Sequence, residues 1–331
     1  MNIKIIPVFL GMLCCVSCSK NNAAKNESNY VVSTFVGSKI STSNVNGFTG
    51  SGGICIDAGG NLYSSDIHGS WKITPDTVVT LVVSLLEYEQ SFPPNLPFQW
   101  GGAGLIINGQ GNFYSVAPSL NMIFKATLIS TTTYGILYPF AGGGANGFVD
   151  GGGDSAEFSL PTSSTFDAQG NMYVLDQQGA AIRKVTPAGQ VSTFVTTNSF
   201  TDIFSSKSLM AIVCDPAGNI YASDADDHKI WKVTPSGQVS TFATNIGDGP
   251  EALTIDGSGN LFTVDGYVVW KISPGGSVSE VAGTDGTTGY KNGPGNSATF
   301  GYLGSIAVDA SGTIYVGDGG NNVIRKIVPA Q

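Results

Sequence analysis

Charge is scarce in this chain: Asp, Glu, Lys and Arg together make up 12% of its 331 residues. That separates it from charge-rich disordered polymers. No cluster of Lys and Arg occurs and the net charge is −9. Nucleic-acid binding draws its affinity from such clusters, so the composition argues against DNA or RNA as a partner. Histidine is nearly absent, with His68 and His228 alone, which rules out a three-histidine metal site within one chain. No nucleophile elbow, phosphate loop or metal-binding motif stands out. Of five cysteines, three lie at Cys14, Cys15 and Cys18. The remaining two, Cys55 and Cys214, cannot make a disulfide framework and read as buried free thiols.

A long amphipathic helical pattern is also missing. What the chain has instead is 41% hydrophobic residues and 45 glycines, with Val, Ile, Thr, Tyr and Phe in short runs. That composition predicts many short strands joined by tight turns.

The first residues stand apart. "IIPVFLGMLCCV" (Ile5 to Val16) follows one positive charge. It is shorter than the roughly 20 residues that span a bilayer, and it suits the apolar segment of a secretory signal. Ser17 directly before Cys18, with polar "SKNN" after it, resembles a bacterial lipoprotein cleavage site. The resemblance implies a signal peptide over residues 1–17 and an acylated Cys18. It also implies a chain anchored by lipid on the periplasmic or outer side of a bacterial membrane. Cys14 and Cys15 compete for that role, and a secreted protein cut nearby is the alternative. Residues 18–29 are polar and aperiodic, which predicts a flexible tether.

From residue 30 to 331 the sequence repeats itself. "ICIDAGGNLYSSD" from Ile54 aligns with "LIINGQGNFYSVA" from Leu105 and "STFDAQGNMYVLD" from Ser164. "IVCDPAGNIYASD" from Ile212, "LTIDGSGNLFTVD" from Leu253 and "IAVDASGTIYVGD" from Ile306 complete six units. Each has an apolar run ending in Asp or Asn, then Gly three residues later, which predicts a hairpin turn. A second strand with an aromatic residue follows and ends in Asp66, Asp176, Asp224, Asp265 or Asp318, with Ala117 as the exception. A recurrent acid marks a folding role in capping the next turn, since one active site does not need five copies. The third strand always carries a Lys, as in "WKIT" or "RKVT", and the fourth is the "VSTF" element. Four strands in each of six units, at intervals of about forty to sixty residues, predict a six-bladed β-propeller.

These columns resemble the NHL repeat, most fully at Asp215 to Gln238, where Asp227 and His228 fall on its Asn-His columns. The second unit departs most, with Asn108, Ala117 and a longer linker between its third and fourth strands. The last unit has only three strands, while "VSTFV" stands alone at Val32 to Val36. Bare strand edges promote aggregation. The orphan strand is therefore expected to pair with the C-terminal blade, closing a monomeric ring.

Candidate site residues lie in loops leading into the first strands. "LEYEQSFPPNLPFQW" (Leu86 to Trp100) sets Tyr88, Phe92, Phe98 and Trp100 beside three prolines. Such aromatics either stack on a sugar or a partner peptide, or bury themselves over the first blade. Asp248 and Glu251, just before an inner strand, are the other candidates; Asp154 and Glu157 hold a comparable loop, and solvated acids are the plain alternative. Two longer lead-in loops share a pattern of aromatic, Gly-rich turn and Ala-x-Phe, with Phe158 and Phe300 expected to plug gaps between blades. The expectation is a binding or scaffold module for a protein or glycan. The alternative is a Ca²⁺-dependent hydrolase or lyase, since related propellers include calcium-dependent lactonases whose metal takes oxygen ligands in the central channel.

Overall fold

The computed structural model describes residues 29–37, 53–66, 69–84, 105–130, 133–134, 137–196 and 209–330. Among them, six antiparallel sheets form a six-bladed β-propeller. Blade one holds Ile54–Ile56, Leu62–Asp66, Gly69–Ile73 and Val79–Ser84. Blade two holds Leu105–Ile107, Phe113–Ala117, Met122–Ala126 and Tyr138–Ala141. Blades three and four begin at Pro161–Phe166 and Leu209–Cys214. Blade five begins at Ala252–Ile255, and blade six at Leu303–Val308. From blade three round through six to one and two, neighbouring first strands pack against their predecessors and enclose the axis.

The orphan strand closes the ring. Tyr30–Gly37 is the outer strand of blade six, antiparallel to Val323–Pro329, with Val31 opposite Val328 and Thr34 opposite Arg325. All six outer strands share one irregularity, a register shift opposite the third strand. The extra residue of such a bulge re-aims a side chain. In four blades it is the Phe of the "VSTF" column or its equivalent: Phe35, Phe140, Phe194 and Phe242. Their rings meet Tyr315, Tyr114, Tyr173 and Tyr221 edge-on at 5.1, 5.2, 5.0 and 4.8 Å. Phe35 thus does for blade six what each blade's own fourth strand does elsewhere.

Turn chemistry explains the repeated acid at the end of each first strand. Asp57 Oδ1 accepts the Gly59 and Asn61 amides, and its Oδ2 accepts Asn61 Nδ2 and the Tyr63 hydroxyl. Burial would raise this carboxyl, yet those hydrogen bonds hold it below the usual aspartate range. Gly60 closes the turn at φ 78°, which a side chain tolerates poorly. Blade two has Asn108 instead, and its δ-amide leaves a single acceptor oxygen. Asn112 therefore turns elsewhere, and its Oδ1 accepts the Leu128 amide. Leu128 opens a small ladder with Thr133–Tyr134 inside the long linker, and Tyr134 packs on Phe113 at 4.3 Å.

The second recurrent acid has a partner on the third strand. Trp231 and Trp270 donate their indole N–H to Asp224 and Asp265 at 2.9 and 2.7 Å. Arg183 and Arg325 donate to Asp176 and Asp318 at 3.0 and 2.9 Å. Blade two places Phe124 in that column, a side chain without a donor, and there the acid is absent: Ala117 is buried in its place. An acid at 117 would be desolvated and unpaired. Ala117→Asp is expected to lower stability by about 3 kcal/mol, and F124W on the same chain to recover at least half of it. A double variant no more stable than the single one in denaturant titration would contradict this coupling.

Candidate functional site

The loops leading into first strands and the turns joining strands two and three share one face, called the top face below. Asp265 organises it at blade five. Its carboxylate caps its own turn by accepting the Val268 amide at 3.0 Å. It also ties down the lead-in loop by accepting the Asp248 amide at 3.2 Å. Asp176 and Asp318 do likewise with the Ser159 and Gly301 amides. The repeated acid therefore fastens lead-in loops as well as capping turns. Burial raises the Asp265 carboxyl against these hydrogen bonds and pushes Asp176 up to about 6.

Glu251 stands at the mouth of the channel, one residue before the first strand of blade five. Its amide donates to Val264 O at 2.8 Å, and its carbonyl accepts Ser223 Oγ from blade four at 3.2 Å. The backbone is thus pinned between two blades. The side chain reaches toward blade six, where both carboxylate oxygens lie within hydrogen-bond distance of the Tyr302 hydroxyl. Burial, opposed by that bond and reinforced by the charge of Asp265, raises the Glu251 carboxyl. Burial and the adjoining carboxylate raise the Tyr302 phenol too. Tyr302 meets Tyr267 edge-on at 6.4 Å and lies over Gly266, where a Cβ would come within 3.3 Å of its ring. Asp248 is exposed beside this group.

The two predicted acids are therefore brought to one face in different roles, Glu251 held against Tyr302 and Asp248 open to solvent. His228, a turn residue at φ 52°, has Nδ1 2.8 Å from the Gly247 carbonyl, so that nitrogen donates. It is a fastening of the lead-in loop. Among the described residues no three His, Cys, Asp or Glu side chains gather as a metal ligand set. Tyr88, Phe98, Trp100, Cys18 and His68 lie outside the described residues. Cys55 and Cys214 are free, as expected, but half-buried and not fully buried.

Residue-by-residue reading passed over two arginine clamps. Arg183 is fully buried. It donates to Asp176 and Asp150 and to the Glu157 and Val149 carbonyls. Its guanidinium lies between the rings of Phe148 and Phe158, at 4.4 and 5.3 Å. Arg325 repeats this with Asp318, Asn292, Thr299 O and Lys291 O, between Tyr290 and Phe300. Phe158 and Phe300 are fully buried in cores that join blade two to three and blade five to six, the plugging role expected of them. The signal was present in the sequence: Arg replaces Trp or Phe in the third-strand column only in the two blades with the long Gly-rich lead-in loop.

No protein-family model and no curated protein matches the chain. Solved structures do. An auxiliary nutrient-binding protein from Bacteroides ovatus is 18% identical over 92% of this chain and 78% of its own, with a TM-score of 0.66. Virginiamycin B lyase from Staphylococcus aureus is 16% identical over 90% of this chain and 99% of its own, with a TM-score of 0.56. A putative gluconolactonase is 14% identical over 90% of this chain and 91% of its own, also at 0.56. At these identities the likeness is one of fold.

Proposed function

We propose that the protein is an exported, lipid-anchored propeller of the NHL type that binds a protein or glycan partner with its top face. The observation that carries this reading is the Glu251–Tyr302–Tyr267 group. It sets a carboxylate beside an exposed aromatic ring at the channel mouth, held from blades four, five and six. Aromatic rings on a rigid support bind at low entropic cost, and an adjacent carboxylate orients what they hold. The fold likeness to an auxiliary nutrient-binding protein supports the same reading. Acylation of Cys18 would hold the propeller at a membrane through residues 18–29, on the periplasmic side or at the cell surface.

The test is an array of glycans and peptides probed with the wild-type protein, Tyr302→Ala and Glu251→Gln. A bound class whose signal falls about tenfold or more in both variants is expected. Binding indifferent to both variants would overturn the reading. The second reading, a calcium-dependent hydrolase or lyase, is favoured by the raised Glu251 carboxyl and the likeness to a lyase and a putative gluconolactonase. It requires that calcium raise the melting temperature and that Glu251→Ala remove the effect.

A further inference from the structure

The propeller divides its charges between its two ends. Toward the bottom, six lysines, Lys72, Lys125, Lys184, Lys232, Lys271 and Lys326, occupy one column of the third strands. Five lie within about 6 Å of an aromatic ring of their own blade's second strand; Lys326 lies over Phe35 of its blade's outer strand. The recurrent first-strand acids, such as Asp57 and Asp215, sit at this same end, bonded to the hydroxyls of those tyrosines. Positive and negative charge therefore mix at the bottom.

Among the described residues at the top, exposed charge is mostly negative. Asp226, Asp227, Asp248 and Asp285 are exposed there, and Glu251 is half-buried among them. Both arginines of that end are buried and committed to the clamps. Lys229 is paired with Asp227 at 2.8 Å, leaving Lys291 as the other basic side chain of this face among the described residues. Independently of charge, the same face exposes Phe148 by 45%, Tyr290 by 54% and Tyr302 by 48%. The first two are backed by guanidinium groups at 4.4 and 4.9 Å, which fix their position. Exposed, immobilised rings mark a surface meant for contact. A surrounding field of one sign states the sign of what makes contact.

We infer that the top face docks a lysine- or arginine-rich polypeptide segment. This rests on the top-face reading above and narrows its protein-or-glycan choice. Basic side chains meet both features at once: their alkyl stems lie along exposed rings while the cationic heads reach the carboxylates. A neutral glycan leaves the field without a role, and anionic lipid is repelled by it.

The experiment titrates full-length protein into a fluorescein-labelled peptide of lysine and arginine with interspersed tryptophan. A glutamate-rich peptide, a glycine-serine peptide and neutral oligosaccharides run beside it. The basic peptide is expected to bind, and to weaken about tenfold between about 50 and 300 mM salt. It should weaken severalfold in the combined variant Asp248→Asn, Asp285→Asn and further in Tyr302→Ala. Asp76→Asn, in an exposed turn at the bottom, should leave it unchanged. A basic peptide that binds no better than the glycine-serine one overturns the inference, as does equal weakening by Asp76→Asn. If neutral oligosaccharides bind instead and Tyr302→Ala abolishes it, the top-face reading stands and the cationic partner falls. If binding of every probe ignores the top-face variants, both fall.

Discussion

A chain lacking Tyr30–Gly37 is expected to lose its cooperative unfolding transition or to assemble into oligomers. The strand buries Val32 and Val36, 1% and 5% exposed, in two separate cores. Val32 joins the core between blades five and six, with Val264, Phe300 and Ile327. Val36 joins Ile54, Trp71, Tyr315 and Ile324 between blades six and one. Burying such a side chain stabilises by about 1.5–3 kcal/mol, and Phe35 adds a ring contact with Tyr315. The sum, about 5 kcal/mol, is a large share of the roughly 5–15 kcal/mol that keeps a typical domain folded. Deletion also bares the whole edge of Val323–Pro329 for pairing with another chain. A synthetic peptide of the deleted sequence should restore the monomer by adding the strand back. A truncated protein that stays monomeric with unchanged melting would contradict this account of closure.

Replacing Arg183 by Met is expected to cost about 3–5 kcal/mol, the range for breaking a buried ion pair. Asp176 would be left fully buried without its cation, and two loop carbonyls, Val149 O and Glu157 O, would each lose one of two donors. Phe148 would lose the flat cation beneath it. Two controls separate these contributions. Asp150 is half exposed, so Asp150→Asn should cost only about 1 kcal/mol or less. The double variant Arg183→Met, Asp176→Leu should recover much of the loss, because it removes the stranded charge. Arg325→Met is expected to behave as Arg183→Met does. Denaturant midpoints measure each, and an Arg183→Met protein within about 1 kcal/mol of wild type would show the clamp to be ornamental.

The architecture was legible because it is written six times. A hairpin turn needs Asp and Gly at fixed offsets, a blade needs an apolar run on either side, and repetition turns weak local signals into a register. Ring closure followed from counting strands: a body without a fourth strand at one end and a fourth strand without a body at the other. The outer-strand bulge was not legible, because it depends on which residue is pushed out of the ladder, and Val281 and Val82 hold that place as well as Phe does. The site was half legible. Glu251 was found from its position before an inner strand. Its partner Tyr302 was not, because the two are 51 residues apart and meet only when blades five and six lie side by side. The exception at Ala117 became intelligible once Phe124 was placed, opposite Ser115, in the column where other blades carry the donor to the acid, a comparison that one blade alone does not reveal.

Closure by the N-terminal strand is tested most directly by a disulfide across the seam. Ser33 lies opposite Lys326. Cysteines at both positions, in a chain whose other cysteines are replaced, should oxidise within the monomer. A bond closing so long a loop should stabilise by about 4–5 kcal/mol against denaturant. A cross-link that forms only between chains, or none under oxidising conditions, would show that this strand does not complete the ring.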